Sequence, residues 1–472
     1  MPASDSPSKT NISTNTRASN PSNPVTHVIK IIRQEGLLRF FVLAFNKVIW
    51  QLRFYLTLIR FKLTTPKGAG LIKIEDVSQS ERAADLRQAD LTQDERVRDG
   101  NRWSEHFLIE RTGLISAGKA RFVHRRVLFI LPIQGVGGGS NSVFLAVKAM
   151  QKMGVDAQIM NLQAYRKPFE KAYPNIDVPL FFGEISDIPE LATGYDAVVA
   201  TSNVTVGWIA PVQKLHPEIV IGYYIQDYEA YFYPPGSEGY QTAAASYTLI
   251  PGQVRCVTTR WIYDQIRQHH NIDCHLVGGH IDTDLFRPRP RLPSQTIRIA
   301  AMIRPVSERR NPRLTMEILR QASQLYGARL EFMLFGCEPY DPDFLPLPRD
   351  FPWRLAGELR PAQIANLLNQ CDIFVDFSVF QGLGLTAMES LCCGLAAIVP
   401  GKGGASTFAR HEENCLVVDT SDQQACLKAL QHLIDDDSLR HKLQQNAIPS
   451  GLQFYPELPA FNLLQALFPG DK

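Results

Sequence analysis

The sequence predicts an α/β protein built from two doubly wound domains, and three observations carry that prediction. The chain has 472 residues, more than one ordinary core and enough for two domains with additions. Short apolar runs alternate with helical stretches from Arg126 to about Val277, the pattern of a parallel sheet covered by helices. A second series of the same kind begins at Ile297. Apolar residues at 45% and charged residues at 20% belong to a globular protein with packed cores, and a net charge of +2 offers no bulk attraction for nucleic acid.

Taken in order, residues 1–24 hold 17 Ser, Thr, Asn or Pro and no apolar core, so they read as a disordered tail and not as a signal peptide. Residues 25–120 read as a helical extension. Between Gly36 and Ile74 there are seven Lys or Arg and no Asp or Glu. Phe41, Phe45, Val48, Leu52, Tyr55 and Ile59 step by three and four, which draws one apolar stripe on a helix, with Arg39, Lys47, Arg53, Arg60 and Lys62 opposite. Charges interrupt every long apolar run, so this helix does not span a membrane. Two readings stand: a basic amphipathic helix over residues 36–65 on an anionic membrane surface, or a helix packed on the core or on a second subunit. Residues 75–111 mix both charge signs and read as a helical connector.

The first domain, residues 121–285, opens with strand Val127–Leu131, a glycine loop (Gly135, Gly137, Gly138, Gly139) and helix Asn141–Met153. Strands follow at Ala157–Met160, Ala197–Ala200, Ile219–Ile225, Arg255–Thr258 and His275–Val277. The glycine turn has Ser140 where a dinucleotide fingerprint needs its third glycine, and Asp156 precedes the second strand instead of ending it, which argues against a nicotinamide site. Tyr223–Pro235 is crowded with aromatics. With Gln226, Asp227 and Glu229 it reads either as a sugar-stacking wall or as a core segment. His269, His270, His275 and His280 cluster in sequence with no cysteine beside them, so no metal is expected there.

The second domain, residues 286–450, starts with strand Ile297–Ile303, followed by Arg304, Arg309 and Arg310 and by a helix after Asn311-Pro312. Its centre is Asp372–Gly394. A buried strand (Ile373–Phe377) leads into a loop bearing Gln381, Gly382 and Gly384, and then into helix Leu385–Cys393, stopped by Gly394. Loop glycines let a ligand reach the backbone, and the first free N–H groups of the helix suit an anion such as a diphosphate. Glu389 lies roughly 7.5 Å along that helix, placed to accept ribose or sugar hydroxyls. Guanidinium groups at Arg304, Arg309 and Arg310 suit phosphate oxygens.

This segment resembles the nucleotide-sugar site of glycosyltransferase family 4, and its D-F-S-x-F-Q-G-x-G wording is similar to the rhamnan-synthesis branch, the WsaF-like rhamnosyltransferases. The likeness covers roughly residues 125–465. Glu389 falls on the second Glu of the family's pair; Gln381 stands where the first belongs, Leu383 replaces a Phe, and Thr407 replaces a later Glu. The resemblance implies the GT-B architecture: two Rossmann-like domains facing a cleft, with residues 451–472 returning to the first. It implies a sugar, rhamnose favoured, moved from a nucleoside-diphosphate donor to a saccharide or lipid-linked glycan acceptor, with retention and without metal or other cofactor. In that scheme Arg304 and Arg310 (or Arg309) hold the diphosphate, Glu389 the nucleotide sugar's hydroxyls and Gln381 the transferred sugar, donating as well as accepting. Gly137, Gly138 and Gly139 approach the donor phosphates; Gln226 and Asp227 face the acceptor; Gly382, Gly384, Leu385 and Gly404 complete the donor pocket. An inactive sugar-nucleotide-binding scaffold and a nucleotide-sugar epimerase are the alternatives.

Asp282-Thr283-Asp284 resembles a metal-binding carboxylate triplet, but its place before the Pro-rich run Arg287–Pro293 marks an interdomain linker. The eight cysteines include no C-x-x-C pair, and Cys392–Cys393 are adjacent and awkward to bridge, so the expectation is a reduced, cytoplasmic protein.

Overall fold

The computed structural model describes residues 37–75, 94–291 and 294–471. The tail at 1–24 and most of the connector before residue 94 lie outside them. Two compact units are present, divided between Leu63 and Thr64. The described part of the first is the helix Leu37–Thr64. Phe45, Val48, Leu52, Tyr55, Leu56, Ile59 and Leu63 on it are all more than half exposed. No described helix is long and apolar enough to cross a membrane.

The second unit holds two seven-stranded parallel sheets. In chain order the strands are β1 (Gly70–Leu71), β2 (Arg126–Ile130), β3 (Asp156–Leu162), β4 (Leu180–Gly183), β5 (Ala197–Ala200), β6 (Val220–Ile225), β7 (Val254–Val257), β8 (His275–Leu276), β9 (Ile297–Met302), β10 (Leu330–Phe335), β11 (Arg354–Leu355), β12 (Ile373–Val375), β13 (Ala396–Pro400) and β14 (Leu416–Val418). The first sheet runs β4-β3-β2-β5-β6-β7-β8 and the second β1-β11-β10-β9-β12-β13-β14. Short apolar strands bury both faces because helices cover both. Val127 and Phe129 enter one core of the first domain, while Leu128 and Ile130 enter the other. This is the GT-B fold expected from the sequence.

Three features differ from the expectation. The extension is part of a sheet: β1 pairs with β11 at the edge of the second domain, 55 positions before the first domain begins its own sheet at Arg126. The connector helix spans Glu95–Phe122 and packs on helices Asp437–Leu452, Glu457–Leu467 and Gly138–Lys152. The strand before the central loop ends at Val375; Asp376 keeps one bond to the sheet, its N–H donating to Ile398 O at 2.9 Å, and Phe377 opens the loop. The helix Glu457–Leu467 does return to the first domain: Ala460, Leu463, Leu464 and Leu467 join its core. At Gly222 on β6 an added Cβ would sit 2.9 Å from Leu467, so a side chain there would push this helix away.

The linker is held from behind. Arg111 donates to both oxygens of Asp284 at 2.7 and 2.9 Å and to both oxygens of Glu457 at 3.0 and 3.1 Å. Lys152 also pairs with the fully buried Glu457 at 2.8 Å. Asp284 thus serves as an ion-pair partner at the point where the chain crosses between domains.

Candidate active site

Both sheets reverse their winding next to a strand whose carboxyl end meets the interdomain cleft, where open α/β sheets take their ligands. In the first sheet the reversal lies between β2 and β5, and in the second between β9 and β12. The loops after β2, β5, β6, β9 and β12 enclose a cavity of about 490 Å³. From the first domain it receives Gly138, Gly139, Gln226, Asp227 and Glu229; from the second, Arg304, Arg309, Arg310, Gln381, Gly382, Gly384 and Leu385.

The three arginines have different duties. Arg304 pairs with Glu358 at 3.3 Å. Arg309 reaches across the cleft to Asp227 at 3.3 Å, and its guanidinium lies 4.7 Å from the Phe232 ring centre and 5.8 Å from that of Phe380. The Arg310 guanidinium makes no hydrogen bond among the described residues, while its backbone N–H donates to Ser307 O at 2.9 Å; burial lowers its pKa to about 10, with Asp376 and Asp227 opposing that loss. A charged, half-buried guanidinium that lines a cavity suits an anion. The Leu385–Cys392 helix starts beside it at Gly384, whose φ of 94° positions the turn, and no side chain caps that end. Its first N–H groups therefore remain available to the same anion.

The domains touch at the glycine loop. Thr259 donates its hydroxyl to Gly382 O at 3.0 Å. At Gly382 an added Cβ would lie 2.7 Å from the carbonyl oxygen of Gln226, and at Gly138 it would lie 2.8 Å from Leu385. Only glycine permits this approach from both sides. Gln226 donates to Gly139 O at 3.0 Å, which ties the β6 loop to the glycine turn.

Gln381 is held differently from the expectation that it donates as well as accepts toward a sugar. Its amide nitrogen donates to Asp376 Oδ2 at 2.8 Å and to Ser378 Oγ at 2.9 Å, so both amide hydrogens are already used.

Glu389 sits one helical turn deeper, in an adjoining cavity of about 450 Å³ shared with His280, Asp282, Arg360, Pro361, Leu385 and the Tyr173–Asp177 loop. Burial, and then the neighbouring Asp282, push its pKa up to about 8. The two cavities adjoin at Gly138, Ser142, His280 and Leu385, which line both.

Residues 353–449 match the family model for glycosyl transferases group 1. That span contains Gln381, Gly382, Gly384, Leu385, Glu389 and Gly404. Over that span the chain is similar to group 1 glycosyl transferases. The O-antigen biosynthesis protein RfbC of Myxococcus xanthus is 26% identical over 243 residues, which is 51% of this chain and 18% of that one. Sucrose-phosphate synthase 1 of Arabidopsis thaliana is 34% identical over 86 residues, 18% of this chain and 8% of that one. The chain thus spans less than a fifth of the length of either relative. Among solved structures, Anabaena Alr3699/HepE in complex with UDP and glucose superposes with a TM-score of 0.59 at 13% identity, over 71% of this chain and 97% of that one. Sucrose-phosphate synthase from Thermosynechococcus elongatus gives 0.57 at 16% identity, over 72% and 98%. These two likenesses concern the fold.

Within the matched span, Gly404 is buried against the central loop: an added Cβ would come 1.9 Å from Gly382 O. It supports the loop from behind. Gly137 caps the helix Gly138–Lys152 and donates its N–H to the Tyr173 hydroxyl at 3.1 Å. That helix begins three residues earlier than the spacing suggested, so Gly138 and Gly139 are its first residues.

The aromatic segment divides between both of its readings. Tyr223 and Tyr228 are fully buried in core and stacked on Tyr247, whereas the buried Tyr224 and the more exposed Phe232 and Tyr233 line the cavity. Glu229 accepts the N–H of Asn203 at 2.7 Å, and burial lifts its pKa to about 7. His269 and His270 meet the hydroxyls of Tyr231 and Tyr228. No group of three His, Cys, Asp or Glu converges as a metal site among the described residues. Asp376, Asp282 and His280 escaped the site list drawn from sequence. Asp376 was the one with a signal, a carboxylate and a serine at the mouth of a buried strand.

Proposed function

We propose that this chain is a glycosyltransferase that moves a sugar from a nucleoside-diphosphate donor to a saccharide acceptor during polysaccharide synthesis. The observation that carries the reading is Arg310, a half-buried guanidinium that lines the cavity with no hydrogen-bond partner among the described residues, beside an uncapped helix start. Cleaving a sugar–diphosphate bond builds negative charge on the leaving oxygens, and preorganised donors stabilise it. Arg310 takes the clamp position, assisted by Arg304, because Arg309 is committed to Asp227. Glu389, in the adjoining cavity, accepts the nucleotide sugar's hydroxyls, and the pyrophosphate bridges the two cavities across the helix start. With cations supplied by arginine and helix N–H groups, the leaving group needs no metal.

The sequence resemblance favours dTDP-rhamnose as donor and retention at the anomeric carbon; the name of the Myxococcus relative supports a glycan acceptor. Helix Leu37–Thr64, with its exposed apolar residues and with basic residues and no acidic ones, supports attachment at an anionic, cytoplasmic membrane face. Flotation with anionic liposomes checks the attachment: deletion of residues 1–65 abolishes it, and undiminished binding removes the idea. A panel of nucleotide sugars screened by thermal unfolding tests the activity, since a ligand that binds only the folded state raises its stability. The expected result is stabilisation by the true donor, lost in Arg310→Ala; no stabilisation by any donor refutes the reading. One observation favours a second reading: Gln381 occupies a carboxylate position of the family. An inactive scaffold binds donor without hydrolysis or transfer.

A further inference from the structure

We propose that Asp376 is a positioning residue that locks the Gln381 amide with its carbonyl oxygen toward the cleft, where that oxygen accepts a hydroxyl of the transferred sugar. The inference rests on the glycosyltransferase reading above. Asp376 follows β12 directly. Its Oδ1 accepts the Ser378 N–H at 3.0 Å and also the Ser378 hydroxyl, while its Oδ2 accepts Gln381 Nε2 at 2.8 Å. With its own hydrogen spent on Asp376, Ser378 Oγ accepts the second hydrogen of Gln381 Nε2 at 2.9 Å. Reversing the amide would set its carbonyl against a carboxylate, acceptor against acceptor, so the network admits one orientation.

The backbone is pinned as firmly. Gly404 N–H donates to Gln381 O at 2.7 Å, and Gly403 lies so close that an added Cβ would be 2.3 Å from the same oxygen. Gln381 Oε1 is left without a partner among the described residues, in a side chain that lines the cavity beside Arg309, Arg310 and the start of the Leu385–Cys392 helix. A carboxylate at this position would be an acceptor bearing charge. Here the acceptor is neutral, and the negative charge stands behind it at Asp376, where it also helps keep Arg310 protonated. The exchange keeps the hydrogen bond to the sugar while moving the charge away from the reacting centre.

A double-mutant cycle tests this. Gln381→Glu places a second carboxylate at the 2.8 Å now spanned by amide and acid, and two carboxylates so close do not both ionise. The Gln381→Glu chain is expected to lose thermal stability between about pH 5 and about pH 8 more steeply than the parent, and Asp376→Asn added to it removes that excess slope. In transfer from dTDP-rhamnose or UDP-glucose, whichever the parent uses, Gln381→Glu loses about tenfold in kcat/KM near pH 8 and recovers on acidification. Asp376→Asn alone raises KM for the donor, since either amide orientation is then allowed. The pair Gln381→Glu/Asp376→Asn returns to within about threefold of the parent. Additive losses, or Gln381→Glu at parental rate near pH 8, overturn the inference while leaving the function standing. A parent chain that is stabilised by no nucleotide sugar of the panel and transfers from none overturns the function, and this inference with it.

Discussion

Glu389 offers the sharpest test of the site's electrostatics, and the perturbation is Glu389→Gln. The side chain is half-buried in the cavity wall, and desolvation followed by the proximity of Asp282 raises its pKa from 4.5 to about 8. The folded protein therefore holds the group neutral near pH 7, whereas the unfolded chain ionises it. Folding takes up a proton, so the contribution of Glu389 is fully present below the unfolded value of 4.5 and disappears as pH climbs through about 8. Within that window the slope is about 1.4 kcal/mol per pH unit, or about 3 kcal/mol between about pH 5 and about pH 7. Glutamine preserves the shape and removes the titration. Thermal unfolding across this range should show the midpoint of the parent falling relative to Glu389→Gln by several degrees, at about 1–3 °C per kcal/mol for a chain of this size. Parallel curves for the two proteins would refute the reasoning, because they require Glu389 to be ionised or exposed in the folded state.

Arg310→Ala and Arg304→Ala should each cost at least about tenfold in turnover, equivalent to about 1.4 kcal/mol in the barrier, measured under saturating donor. Near-normal rates in both would displace the leaving group from this cleft. Arg111→Ala leaves the buried Glu457 with Lys152 alone, and denaturant unfolding should register a loss of about 3 kcal/mol. An unchanged midpoint would mean that this ion-pair cluster carries no stability. Gly404→Ala forces a methyl into the Gly382 carbonyl; loss of UDP-induced stabilisation is the expected result, and retention of it would show that the central loop yields easily.

The likeness of sequence to structure is greatest where a pattern is local. Alternating apolar strands and helices located both sheets because a strand buried on both faces must be apolar throughout. Gly394, with φ of 75°, marked the end of its helix for the same local reason. Boundaries slipped where the chain needed a side chain more than a hydrogen-bond ladder. The strand at Ile373 stops early, and Asp376 turns its carboxylate onto Gln381. β1 was invisible because two residues carry no period; its pairing with β11 depends on a partner more than 280 positions away.

By itself the sequence determined the two doubly wound domains, the linker after Val277, the returning C-terminal helix and the clustering of arginines and glycines on two loops. The domains and the two loops follow from periodicity and turn chemistry, which act over a few residues; the linker and the returning helix are what the family resemblance implied. Tertiary structure decided how the arginines divide their work, since Arg309 meets Asp227 only where the first domain closes over the second, and adjacent positions in sequence say nothing about a partner across a cleft. It likewise decided that Glu389 lines a cavity beside Asp282, where its pKa is pushed up, and that Gln381 has spent both hydrogens. Protonation and hydrogen-bond polarity depend on what surrounds a group in space.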